Sequence, residues 1–377
     1  RRPTPPAGNR HRVEATGNVL EAALCLHLGA ADVAERQYDE RTLEAARGLR
    51  IRHTMDIVEH SLRSQHIQPR GGPQEVLKAA WSTNSIAGIL SNAGNKILEV
   101  AYRQFPSVAR QVAKTLTAKD FKSHTGYRLS GDVLLDEVGA AGEIKHGSLS
   151  ESAFEFRVAT FARMLSLTRQ DIINDDLTAL AEIPRMIGRG AALKLESVFW
   201  NLVLSNSGSF FGIGNGNLID SPLDVAGLSA AVAAMRRQTD AEGEPIAIGP
   251  RFLVVPPELE STADELFASV NVVVSGSEDK VRPAGNVFRN KYEPLVTPYL
   301  SNASYSGYST SAWLLFADPA DVAAYGIAYL HGVQSPTIES ADADFNKLGF
   351  QWRGYMDFGC VAIDPKAAVK STGDAAE

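Results

Sequence analysis

Cys25 and His27 could form a thiolate–imidazole pair, but they sit two apart in a helical stretch and so face away from each other. His53 and His60 are seven apart and share a helix face, yet no H-E-x-x-H pattern accompanies them to complete a zinc site. The 8 histidines form no cluster. Gly212, Gly214 and Gly216 in GIGNGN have the composition of a phosphate-cradling loop. Their spacing is not G-x-G-x-x-G and no helix start follows, so nothing would aim amides at a phosphate. There is no G-x-S-x-G nucleophile elbow. Asp318, Asp321 and Asp364 fall in turns, where aspartate is common for its local hydrogen bonds. The expectation is a chain with no catalytic residues, no cofactor and no metal.

One stretch dominates the rest, Asn174 to Ser205. Asn174 can cap a helix start, and Asp175 and Asp176 put negative charge at the positive end of the helix dipole. Leu177, Leu180, Ile187, Ala191, Leu195, Val198 and Leu202 recur at helical steps and make one apolar stripe. A helix from Leu177 to Leu204 would run roughly 40 Å at 1.5 Å per residue. Pro184 should kink it or mark a restart, and Gly188 and Gly190 soften it. Asn206, Ser207 and Gly208 end it.

Ahead of that helix, residues 1–17 read as a disordered or extended tail. Val19–Leu28 and Asp39–Gln65 read as short helices, Ser82–Lys96 as small-residue-rich and partly extended, and Ile97–Phe105 as helical. From Phe121 the pattern turns to strands. Tyr127–Ser130 and a long strand over Ala153–Arg169 flank the Gly/Glu-rich EVGAAGEIKHGSL, which predicts a long hairpin. Phe154, Phe156, Val158, Ala162 and Met164 share one of its faces. A long exposed hairpin is an aggregation hazard unless something covers it, which suggests a chain completed by copies of itself.

After the helix come a Gly/Asn loop over Phe210–Asp220 and a helix over Leu223–Arg237, with Leu228, Val232 and Met235 inward. A strand over Arg251–Val255 leads into a proline-started helix over Glu258–Ser269. Val270–Val274 and Asn290–Thr297 read as strands with a polar loop between them. Trp313–Phe316, Ala323–Leu330, Thr337–Glu339 and Phe350–Ile363 are further strands, and the tail from Pro365 is short and polar.

Length and charge set the bounds. The 377 residues suffice for two or three domains, with the composition of a soluble globular protein. No run of eighteen apolar residues exists, and the opening RRPTPPAGNRHR lacks the apolar core of a secretory signal. Two cysteines, Cys25 and Cys360, give no disulfide framework, which suits a reducing compartment. The net charge is −7, from 37 Lys/Arg against 44 Asp/Glu. Residues 1–80 hold 12 and 10, the remainder 25 and 34, so the bulk of the chain lacks a basic nucleic-acid footprint.

The order of parts, and the segments DFKSHTGYRLSG (120–131), GEIKHGSLSE (142–151), LSLTRQDIINDDLTALAEIPRMIGRGAA (165–192), AAWSTNSIAGILSNAGNKIL (79–98) and RGYMDFGCVAIDP (353–365), resemble tailed-phage major capsid proteins of the Hong Kong 97-type fold. Within these they look most like the Mu-like major head subunits and the related prohead protease–capsid fusions. The resemblance runs from about Asp39 onward and is specific over 79–205. It implies an α+β fold with an N-terminal helical region and arm (1–120), an extended loop (121–170), a peripheral domain with a spine helix (171–209 and 311–370), an axial domain (210–310) and a tail (371–377). Asn174, Leu177, Pro184 and Leu195 would be structural residues of the spine.

It further implies pentamers and hexamers building an icosahedral head around double-stranded DNA held non-specifically. Portal, scaffold or protease, and a decoration protein would be assembly partners, with no membrane. A start at Arg1 fits the mature product of a cleaved fusion, and an artificially trimmed chain equally well. Some members of the fold weld neighbours by a Lys–Asn isopeptide bond, and Lys145 and Asn346 are the residues that would fill that role. A lysine at a polar tip is ordinarily just solvated, so the expectation is an unlinked subunit. An encapsulin-type bacterial compartment shell is the runner-up reading and a phage-associated protease the distant one.

Overall fold

The computed structural model describes residues 16–49, 51, 54–68, 72, 75–76, 85–131, 149–168, 177–240, 243–275, 281–342 and 349–373. In chain order the helices are α1 (Gly17–His27), α2 (Ala31–Gln37), α3 (Glu40–Gly48), α4 (Thr54–Ser64), α5 (Ser85–Gln104), α6 (Val108–Val112), α7 (Leu177–Leu204), α8 (Val225–Arg236) and α9 (Glu260–Ala268). The strands are β1 (Ala113–Ala118), β2 (His124–Gly131), β3 (Leu149–Phe156), β4 (Ala159–Thr168), β5 (Leu218–Ile219), β6 (Pro250–Val255), β7 (Asn271–Ser275), β8 (Val281–Gly285), β9 (Glu293–Val296), β10 (Trp313–Ala317), β11 (Tyr325–Leu330), β12 (Thr337–Asp342), β13 (Gly349–Ala362) and β14 (Ala368–Ser371). The fold is mixed α+β, as the sequence predicts.

The chain forms two compact units. The first comprises Arg1–Pro106, Thr160–Ala192 and Ser335–Met356, and the second Ser107–Ala159, Leu193–Gln334 and Asp357–Glu377.

In the first unit a helical core buries Leu20 and Leu24 of α1, Ile57 and Leu62 of α4, Ile97 and Leu98 of α5, and Ile183 and Ile187 of α7. Ile338 of β12 and Trp352 of β13 close it. The backbones of α5 and α7 come close at Gly188, where an added Cβ would lie 2.5 Å from the Leu98 carbonyl oxygen. That glycine is a packing contact rather than a soft spot. Ser85–Lys96 is helical, not extended as its small residues suggested. The reason is tertiary: Ile89, Ala93 and Leu98 are buried, and Asn95 is fixed to a strand. Its Nδ2 donates to the Ile338 carbonyl at 2.8 Å and its Oδ1 accepts from the Ile338 amide at 2.7 Å.

In the second unit β1 runs parallel to β11, and β11 pairs antiparallel with the last residues of β13. A five-stranded sheet has the order β5-β14-β10-β6-β9. Every residue of β10 is buried, so it reads as an unbroken apolar run rather than an alternating one. The polar tail expected from Pro365 is instead partly structural, since β14 pairs with β10 and buries Ala368 and Val369. A strand, β8, also stands within the expected loop between β7 and β9, paired with β7.

The predicted hairpin is present as β2 and β3, with Tyr127 opposite Ala153. The long strand expected over Ala153–Arg169 is two strands with a break at Arg157 and Val158. The break ends the alternation, so Val158 is buried while Met164 is 60% exposed. It coincides with a close approach: a Cβ on Gly359 would fall 2.0 Å from the Arg157 carbonyl oxygen.

Gly188→Ala should destabilise the protein by about 1–3 kcal/mol, because backbone rather than a pliable side chain must yield. Thermal unfolding checks this against Gly190→Ala, where an added Cβ meets nothing within 4 Å and helix propensity favours alanine.

Candidate functional site

The long helix forms over the predicted span. Leu177 is its first residue and it continues through Pro184 to Leu204 as one helix, so the expected restart does not occur. Pro184 is buried. Leu195 is fully buried, while Val198 and Leu202 are only half-buried. From Leu195 on, the inward face passes through Phe199, Trp200 and Val203 instead. Asn174, Lys145 and Asn346 lie outside the described residues, as do the tail over residues 1–15 and the hairpin tip over 132–148.

A buried carboxylate, which sequence reasoning missed, organises the second unit. Glu196 of α7 is 2% exposed. It accepts hydrogen bonds from the Ser107 hydroxyl, from the Ala109 amide at 3.1 Å and from the Trp200 indole at 2.7 Å. Ser107 in turn caps α6 by accepting from the Arg110 amide at 3.2 Å. Burial raises the Glu196 carboxyl above its ordinary value of 4.5, against the opposing pull of these donors. Phe199 meets Tyr325 edge-on at 5.6 Å, and Phe210 lies 4.6 Å from the same ring. The local signal was the i,i+4 pair Glu196 and Trp200, but nothing in it marks the pair as buried.

After α7 the chain turns at Asn206, which holds a left-handed φ of 46°. Asn206 clasps Phe211, donating to its carbonyl at 2.9 Å and accepting from its amide at 2.7 Å. Asn217 is fully buried. It accepts from the Gly212 amide at 2.9 Å and donates to the carbonyls of Phe210 and Pro365 at 2.9 and 2.8 Å. The GIGNGN segment is therefore a loop held from behind by side-chain amides.

On the hairpin, Phe154 lies over Gly126, where an added Cβ would meet its ring at 2.3 Å. Tyr127 is 62% exposed. Arg128 pairs with Asp364 at 2.8 Å, tying β2 to the segment before β14.

In the first unit a groove of about 720 Å³ is lined by Leu28, Ile97, Phe105, Met186, Arg185 and Arg189 among others. Arg185 is committed to the Leu28 carbonyl at 2.7 Å and to Glu182 at 3.3 Å. Burial pushes the Cys25 thiol up to about 11 and the Cys360 thiol up to about 12, which makes both poor nucleophiles. Among the described residues no group of three or more His, Cys, Asp or Glu could hold a metal ion, and no helix is long and apolar enough to cross a membrane.

The architecture can be set beside known proteins. A family model described as phage capsid protein matches residues 151–371, more than half of the sequence. The chain belongs to the phage capsid protein family. Membership makes it a capsid subunit and a virion component, a structural role. The capsid chain is similar to a solved structure from Mycobacterium phage Adephagia, at 13% identity over 72% of this chain and 91% of that one, with a TM-score of 0.46. It is similar to the capsid structure of cyanophage P-SCSP1u at 13% identity, covering 71% and 88%, TM-score 0.45. It is also similar to a virus-like particle from Pyrococcus furiosus at 12% identity, covering 74% and 97%, TM-score 0.41. Among curated proteins none matches.

Glu196→Ala should cost the capsid subunit about 2–4 kcal/mol, since it strands the Trp200 indole and the Ala109 amide. The raised carboxyl also fixes a pH dependence. Its contribution to stability is complete below pH 4.5 and is lost as pH rises through the folded-state value. Glu196→Gln, which stays neutral, should flatten that part of the stability–pH profile in denaturant melts.

Proposed function

We propose that this chain is the major capsid protein of a tailed phage, assembling as pentamers and hexamers into the icosahedral head around double-stranded DNA. The observation that carries the reading is the family match over residues 151–371. The long helix, the β2–β3 hairpin with its exposed Tyr127, and the closing strands support it, in the order expected of a Hong Kong 97-type subunit. The segments over 79–205 favour the Mu-like major head subunit and protease–capsid fusion branch.

On this reading residues 1–120 are the N-terminal region and arm, and 121–170 the extended loop. Residues 171–209 with 311–370 are the peripheral domain, and 210–310 the axial domain. The role is structural rather than enzymatic. Portal, scaffold or protease, and a decoration protein are the partners during assembly in the host cytoplasm. Many weak contacts per subunit add up to a stable shell. The acidic balance of −7 leaves packaged DNA unbound and mobile.

Electron microscopy of purified protein tests this directly. Uniform icosahedral shells, on the order of 50 nm across or more, are expected from the many copies a phage head needs. Smaller shells filled with a foreign protein would move the assignment to a bacterial compartment. Deleting Gly139–Ser148 should leave a folded, soluble subunit that cannot close shells. Leu195→Asp should abolish assembly by unfolding the subunit, since an unpaired buried charge costs at least several kcal/mol. Boiled, reduced particles should run as a single band at monomer mass, and a ladder would instead reveal a Lys145–Asn346 linkage.

A further inference from the structure

The loop between α7 and β5 holds the most exposed of the large apolar side chains among the described residues. Ile213 is 88% exposed, against 62% for the next, Tyr127. Isolated exposed apolar residues are ordinary. What sets this one apart is the frame beneath it.

Two rings at the root of the loop are buried, Phe210 and Phe211. Asn206 and Asn217 clamp the backbone leading into the tip, at Phe210, Phe211 and the Gly212 amide. Asn215 donates to the carbonyls of Ser209 and Phe210 at 3.1 and 3.0 Å. Gln238, from beyond α8, donates to the carbonyls of Asn215 and Gly216 at 2.9 and 3.3 Å. Ser209 is held at a φ of +54°, in the left-handed region that a serine enters only at a cost. Four side-chain amides thus immobilise a short loop whose tip carries an isoleucine between two glycines. A loop ordered in advance loses little further entropy when its tip is buried by a partner.

We infer that the Ile213 loop is a preformed anchor that inserts into a second copy of this chain. Charge selects the partner. Residues 206–217, NSGSFFGIGNGN, contain no charged side chain, in a chain of net charge −7. Copies of an acidic chain repel one another least where charge is absent. A neutral apolar tip also offers nothing to phosphates, which argues against nucleic acid or an anionic membrane. The inference rests on the shell reading and adds a contact that the family match does not supply.

Photo-crosslinking from benzoylphenylalanine at position 213, in particles assembled from the full chain, tests it together with Ile213→Asp. A crosslinked product at twice the chain's mass is expected. Ile213→Asp should melt within about 1 °C of wild type, because the side chain is exposed in the subunit. It should also need on the order of tenfold to hundredfold more protein to assemble, the equivalent of losing one buried isoleucine per contact. Normal shells from Ile213→Asp at wild-type concentration, or shells in which position 213 crosslinks to no second copy, overturn the anchor and leave the shell reading intact. A wild-type chain that never associates overturns both.

Discussion

Glu196 sits where three donors of the second unit, two at the start of α6 and one on α7, need an acceptor at once. The Ser107 hydroxyl, the Ala109 amide and the Trp200 indole all give their hydrogens to this one carboxylate. Taking a carboxylate out of water is costly, and the raised carboxyl shows that desolvation outweighs the three donors. Removing it is costlier still, because the donors would remain buried without a partner. That group ties the C-terminal half of α7 to the start of α6, which leads directly into β1. Around it the aromatic side chains Phe199, Phe210 and Tyr325 fill the remaining space.

Elements with a strong period were legible in advance. The helix Leu177–Leu204 follows from its 3.6-residue recurrence, and the alternation of β13 and the apolar run of β10 are equally plain. The inward face of α7 was less so. The stripe continues one helical step along its whole length, whereas Val198 and Leu202 lie beside rather than within the core. The start of α5 was misread because Ser, Gly and Asn are weak helix formers, and only contacts distant in sequence override that preference. Asn95 is the plainest case, since its partner Ile338 lies 243 residues away.

The functional parts divide in the same way. The hairpin was visible from its glycine-rich tip, but the break at Arg157 was not, because the cause is the backbone of Gly359 two hundred residues on. The loop after α7 was legible as a loop from its Gly and Asn content. That its asparagines are clamps rather than solvent-facing turn formers depends on Pro365 and Gln238, which no local window contains. The absence of a phosphate-loop spacing, by contrast, could be read from Gly212, Gly214 and Gly216 alone.

The clasp of Asn95 on Ile338 bears on how such a chain survives its own synthesis. On the shell reading, many copies must meet at concentrations where any open strand invites a neighbour's. On β12 the amide and carbonyl of Ile338 are already taken by a side chain of the same molecule. A foreign strand approaching there meets an occupied backbone and a helix in its way. The same side-chain amide that locks α5 to the strand therefore also occupies backbone that a neighbour's strand would need.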